Sequence, residues 1–556
     1  MNKQQHSTRR GFLRTAGKTA IVAGILGVAP TLKNHSSEAH AAPGTSGSNQ
    51  RANDCAKLRR DAATAGFKAT PQNLQHPSNN DEDLYPNKLG SFSKGLPHNN
   101  DGTVDLSAYV ALVQALNSGR PADFDAIPLG GTTGLTNPQA GLAFDMQGPD
   151  AHALVQPPAP AFASRAQAAE ISENYWMALL RDVPYSQYSG NAIANAAAAD
   201  LTLYGADFGA PKDGSAVTTA TLFRGLTPGD RVGPYLSQFF YQDCNFGANK
   251  IEQKIRTTVP GVNYMTDFDT WLAVQRGIAQ PPDAFDPVPR YMRTGRDLGQ
   301  WVHIDVLFQA YFQAFLVLAG AGAPLDDGNP YNGNPSQIGF GTFGGPHIAT
   351  LLCEVSTRAL KAVWYQKWFV HRRLRPEVQA ERVHRTLFAG ANYPVHPEIL
   401  DSFSDNNRLK GSMPAGSALL PMAFPEGSPT HPAYGAGHAT VAGACVTILK
   451  AWFKETTRLV DIGLAPVQPT DDGLSLVPYL GSDAGDLTVG GELNKIAANV
   501  ALGRNTAGVH WRSDATESLK LGEQIAIGIL KEQKACYNEP FSGFSLTKFD
   551  GTQVIV

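Results

Sequence analysis

The sequence predicts an all-α protein. Three observations carry this. Apolar residues recur at helical spacing over long windows from about residue 165 towards the C-terminus. Loops rich in Gly, Pro and Asn, such as GLTPGD, DDGNPYNGNP and PMAFPEGSPTHP, separate those windows. Strand signals are sparse, the best being the C-terminal LTKFDGTQVIV, where Asp550-Gly551 suits a hairpin turn. A chain of 556 residues, 42% of them hydrophobic, has material for one large core or several smaller ones.

The elements follow in order. Residues 1–41 read as an address: Arg9-Arg10, then Phe12-Leu13, an apolar stretch over 19–32, and Ala39-His40-Ala41 as a small-x-small cleavage pattern. This resembles a bacterial twin-arginine signal, which implies export to the periplasm or beyond. A basic N-terminal anchor helix is the alternative. The net charge is -3, and the signal would remove six Lys/Arg and one Glu, leaving a more acidic chain. No basic excess points to nucleic acid.

Residues 42–160 form a Pro-, Gly-, Asn- and Asp-rich arm with one helical patch at 106–119. Residues 161–556 form the helical domain. It opens with RAQAAEISENYWMALLRDVPY, an amphipathic pattern ended by Pro184. Further helices are expected near 190–203, 234–241, 268–277, 299–321, 346–373, 396–403, 438–454, 492–504 and 513–534. The apolar run 306–321 is interrupted by Gln309 and Gln313, with Asp305 read as its cap. It reads as a buried core helix, so the mature chain is expected to have no membrane span. Five scattered cysteines include no CxxC and leave at least one thiol free; Cys353 and Cys445 read as small core residues. The loop 326–335 offers oxygen ligands of a calcium-binding type, although a solvated loop is the better reading.

Three stations carry chemistry. The first is WYQKWFVHRRLRPE, 364–377. Lys367 and His371 share a helical face, and Pro376 disfavours helical geometry at Arg375, which can therefore turn back. A solvated basic face is the alternative, but the aromatic flanks require an anionic partner for buried cations. The second is SPTHPAYGAGHAT, 428–440. Its glycines leave amides free at a helix N-terminus, at Gly437, with His438 on the first turn and His431 seven residues earlier. A plain glycine turn with helix-capping residues is the better reading of this stretch in isolation. The third is GRNTAGVHWRSDATE, 503–517. It holds Arg504 and then His510 before a helix start where Asp514 and Glu517 have capping-box spacing; an ordinary inter-helix loop is the alternative. Together they supply what a tetrahedral oxyanion site needs: two arginines, a lysine, backbone amides and histidines for bonding and proton transfer.

That order, Lys…Arg-Pro, then Gly-His, then Arg…Gly-x-His, resembles the vanadium-dependent haloperoxidases and the related acid phosphatases of the phosphatidic acid phosphatase type 2 superfamily. The seven residues between Lys367 and Arg375, and His431 before His438, resemble the algal bromoperoxidase branch. The resemblance implies two four-helix bundles, a vanadate cofactor, hydrogen peroxide, a halide (bromide or iodide) and a small organic nucleophile as partners, and a homo-oligomer. It implies His510 as the metal ligand, with Lys367, Arg375, Arg504 and the Gly437 amide on equatorial oxygens. His438 would be the acid-base group at the axial oxygen, Lys367 would polarise the bound peroxide, and His431 would tune halide or proton handling. One departure stands out. Ala436 replaces the family serine in Pro-Ser-Gly-His, which here reads Gly435-Ala436-Gly437-His438. A hydrogen bond to a charged partner contributes about 1.5–3 kcal/mol, so vanadate is expected to bind roughly tenfold or more weakly. An exported phosphatase with His510 as nucleophile, and a non-catalytic oxyanion-binding protein, are the rival readings.

Overall fold

Helices dominate the described residues, 48–556, of a computed structural model. The signal read over 1–41 lies outside them. The helices that matter here are α1 (Ser48–Ala69), α2 (Leu106–Ser118), α3 (Arg165–Leu179), α4 (Ala192–Thr202), α5 (Phe268–Gln275), α6 (Gly295–Ile304) and α7 (Gln309–Gly320). They continue as α8 (Gly345–Tyr365), α9 (Pro376–Phe388), α10 (Pro397–Ser402), α11 (Gly437–Trp452), α12 (Val489–Thr506) and α13 (Arg512–Cys536). Strands occur only as three two-stranded antiparallel hairpins among the described residues. The last pairs Ser545–Thr547 with Gln553–Ile555 around Asp550-Gly551, where the sequence placed it.

Two helical cores flank the site. In the first, α11 packs against α8, α12 and α13. Small residues let α11 and α13 approach closely: a Cβ on Gly443 would lie 2.1 Å from the Leu519 carbonyl oxygen, and one on Gly522 would lie 1.9 Å from that of Thr440. In the second, α3 packs with α4, α9 and α10, and residues 507–511 close it. The polar residues that made α3 read as amphipathic are buried. Glu173 accepts from Arg512 Nε at 2.8 Å, and Glu170 accepts from Arg373 Nη2 at 2.8 Å. Ion pairing, not solvent, satisfies that face.

Several expectations need correction. The window 299–321 is two helices, α6 and α7, meeting at 101°. Asp305 does not cap the second; it leaves α6 in extended geometry and bonds His438. No described helix is long and apolar enough to cross a membrane. The window 234–241 holds only a 3-10 turn over Gln238–Phe240, whose amide at Phe239 bonds the Ser237 hydroxyl. Two of the helices named above were missed. Pro376, read as a stop, is the first residue of α9, where a missing N–H costs nothing. The arm carries α1, whose surface is largely exposed. Asp326, Asn329 and Asn334 in the loop 326–335 spend side-chain oxygens on local backbone amides, and Asp327 pairs with Lys454.

Glu381 in α9 offers a measurable consequence of this burial. Its side chain has no exposure, and one oxygen has no hydrogen-bond partner. Burial pushes its carboxyl up to about 7 despite Arg382 and Arg385. The native state therefore keeps a proton that the unfolded chain releases near 4.5. Stability falls as pH rises through that window, by on the order of 3 kcal/mol in full. Glu381→Gln is expected to flatten this slope, measured as denaturation midpoints at pH 5 and pH 8.

Candidate active site

The first station is shaped by a break in helix geometry. After α8 the chain widens into a π-helical turn over Gln366–His371, and Arg372 ends it in the left-handed region at φ 35°. Such turns re-aim side chains. Lys367 is fully buried and donates to the carbonyls of Pro432 (2.9 Å) and Ala433 (3.2 Å). Arg375 is extended at φ -89°, ψ 158°, as its position before proline predicts. Its guanidinium donates to the His431 carbonyl, to His431 Nδ1 at 2.9 Å and to His510 Nε2 at 3.1 Å. His371 instead packs edge-on against Tyr434.

His510 is fixed on both sides of its ring. Its Nδ1 lies 2.8 Å from Asp514 Oδ2, which also accepts the Trp511 amide as the helix cap of α13. The cap is thus Asp514 on Trp511; Glu517 pairs at the surface with Lys520. Because Nδ1–H donates to Asp514, Nε2 of the neutral ring keeps its lone pair, and Arg375 can only donate to it. Burial, then the nearby Arg375, Lys367 and Arg504 charges, holds the imidazole well below its ordinary pKa. His431 is held low in the same way. Both rings are neutral bases at neutral pH.

The second station meets these from the other core. Ala436 caps α11 without a side-chain bond, so the amides of Gly437 and His438 have no acceptor among the described residues. Ser518, from α13, takes the Ala436 amide at 2.8 Å. A Cβ on Gly435 would lie 2.5 Å from that hydroxyl and 2.6 Å from Gln156 Oε1, so any larger residue there would have to displace these side chains. His438 Nε2 bonds Asp305 Oδ1 at 2.9 Å. Arg504 donates to the Val302 carbonyl at 2.7 Å, and its buried Nε has no partner.

A cavity of about 320 Å³ unites the stations, with His431, Gly437, His438, Arg504 and His510 in its wall. Lys367 and Arg375 stand behind that wall, bonded to its backbone and histidines. Sequence reading missed Asp305 and Asp514, which orient His438 and His510. It also missed His303, at the end of α6, and Glu426. The signal existed for Asp514, four residues after His510 on one helical turn. None existed for Asp305, over 130 residues from His438.

The charge distribution tests whether an oxyanion fits. Arg372, Arg373 and Arg512 each pair with a carboxylate. Lys367, Arg375 and Arg504 are buried and pair with none among the described residues. Burial and mutual repulsion push Arg375 down to about 9 and Lys367 well below its ordinary value. Buried cations without carboxylates, bare helix-start amides and an orphaned guanidine nitrogen fit a bound multivalent anion.

This helical architecture, with cations, a helix N-terminus and one free imidazole nitrogen converging, defines a class: the oxyanion-site proteins that include the vanadium haloperoxidases and related phosphatases. A family model, the VCPO second helical-bundle domain, matches residues 354–539, which hold all three stations. Vanadium-dependent bromoperoxidases of Corallina pilulifera and Ascophyllum nodosum are 39% and 36% identical, the matches covering 84% and 83% of this chain and 91% and 85% of theirs. A homohexameric second vanadate-dependent bromoperoxidase from Ascophyllum nodosum superposes with a TM-score of 0.84 at 29% identity, covering 98% of this chain and 95% of that one. The chain belongs to the vanadium-dependent bromoperoxidase family.

Proposed function

We propose that this protein binds vanadate and uses hydrogen peroxide to oxidise bromide, iodide or both to hypohalous acid, which halogenates small organic nucleophiles. The observation that carries this reading is His510, whose Nε2 lone pair is set by Asp514 and faces three cations that lack carboxylate partners. His510 would bond the metal. Arg375, Arg504, Lys367 and the Gly437 amide would hold its oxygens, and bound vanadate would supply Lewis-acid activation of peroxide without a change of oxidation state.

The chain's own groups do the rest. Lys367 spends two of its three N–H bonds on carbonyls and keeps one for an anion. Arg375 gives His510 Nε2 the N–H that a bound oxygen would accept in its place. Asp305 holds His438 Nε2, and Nδ1 makes no bond to the described residues, so it is the nitrogen that would move a proton at a bound oxygen. His431, neutral and bonded to Arg375, tunes the halide side. The homohexameric relative supports a homo-oligomer here, and the twin-arginine pattern supports export.

Halogenation of a dye with iodide, bromide or chloride, with and without orthovanadate, tests the proposal beside phosphatase activity without vanadate. Vanadate-dependent turnover with bromide or iodide is the expected result; none with any halide overturns it. Ala436→Ser separates two further effects. As a helix cap it is expected to add about 1 kcal/mol of stability, read by thermal melting. As a restored donor it is expected to tighten vanadate roughly tenfold, read by titration. Equal vanadate affinity removes the second role.

A further inference from the structure

The C-terminal turn of α6 brings three groups to the site. The Val302 carbonyl holds Arg504, Asp305 holds His438, and between them His303 projects into the same cavity. The mechanism above uses the first two and leaves His303 without a task. Its surroundings are built. The ring stacks on Phe424 at 3.7 Å with planes 10° apart. Nε2 lies 2.6 Å from Glu426 Oε1, and Nδ1 lies 3.4 Å from Asp283 Oδ2. The Glu426 side chain is 51% exposed and that of His303 18% exposed, so the pair links bulk solvent to the cavity. The other charge acting on it is Arg504 from α12. Lys94 of the arm pins the Glu426 carbonyl at 2.6 Å and keeps this wall in place.

We propose that His303 is the proton-exchange residue of the pocket, passing protons between solvent at Glu426 and the cavity it shares with His438. This rests on the haloperoxidase reading. Halide oxidation follows H2O2 + X⁻ + H⁺ → HOX + H2O. The O–O bond breaks, one oxygen bonds the halogen, which gives up two electrons, and the other leaves as water with the added proton. Each turnover thus consumes a proton, and His438, held on Asp305 inside, needs a source. The two carboxylates raise the His303 pKa above its ordinary value against burial and Arg504, so the ring holds its proton to higher pH than a free imidazole. It acts through His438 and holds no part of the cofactor.

His303→Gln tests this. Vanadate affinity by equilibrium dialysis is expected to stay within twofold of wild type. Turnover at pH 8 is expected to fall about 10- to 100-fold, near the lower end of what a positioned acid-base group contributes. The loss is expected to shrink at pH 5.5, where solvent supplies protons, and added imidazole is expected to restore much of it. In histidine-labelled apoprotein, ¹⁵N NMR is expected to show a ring titrating above 6.5 that vanishes in His303→Gln. Glu426→Gln, which removes a raising charge, is expected to move that titration and the alkaline limb of turnover to lower pH. A pH profile parallel to wild type without imidazole rescue overturns the proposal, as does loss of vanadate affinity. A wild type that binds vanadate yet halogenates nothing sinks the functional reading instead, and the NMR titration then decides whether His303 carries the exchangeable proton.

Discussion

His510→Ala is expected to abolish both vanadate binding and vanadate-dependent halogenation while the helical fold survives. His510 presents a neutral imidazole lone pair at Nε2 to the anion pocket, with Asp514 fixed behind it at Nδ1. His431 spends Nδ1 on Arg375, and His438 spends Nε2 on Asp305. Removing the ring also strands the Arg375 N–H that it accepts, at a cost of about 1–3 kcal/mol. Circular dichroism is expected to show native helicity, and equilibrium dialysis no specific vanadate uptake. Uptake equal to wild type would mean that the cations alone hold the anion and that His510 is not its ligand.

Asp514→Asn is expected to be nearly as severe for a different reason. Asp514 is completely buried and serves three partners: His510 Nδ1, the Trp511 amide and Arg373 Nη1. An asparagine can still accept from one of them. Its amide donor facing His510 favours the opposite tautomer, with the proton on Nε2 and no lone pair for a metal. Second-layer partners of this kind are worth about 10- to 100-fold in metal affinity. Arg373 also loses one of its two buried carboxylates and keeps Glu170, which lowers stability as well. Vanadate titration and chemical denaturation measure the two effects separately. A variant with wild-type affinity would show that the tautomer at His510 does not matter.

Much of the site was legible because its chemistry is local. Lys367, Arg375, Gly437, His438, Arg504 and His510 occur in short segments whose residue types are costly to bury without an anion. Pro376 announced the extended geometry of Arg375 through a steric rule that acts on neighbouring residues. The helix bend at 101° was not legible, because apolar periodicity runs through residues 299–321 without a proline or glycine break at the turn. What ends α6 is Asp305 reaching His438 across 133 residues of chain. The buried glutamates of α3 misled in the same way: their partners, Arg373 and Arg512, lie in distant segments.

The sequence by itself determined the helical class, the order of the three stations and the alanine at 436 ahead of Gly437-His438. Each is a property of contiguous residues, through periodicity, backbone restriction or side-chain chemistry. Only the tertiary structure decided which cations are paired and which are left for an anion. It alone set which nitrogen of His510 is free, and it put His303, Asp305 and Glu426 at the pocket at all. Those outcomes depend on distances between segments far apart in the chain. Electrostatic and hydrogen-bond energies change over a few ångströms, and the packing of two helical cores sets those ångströms.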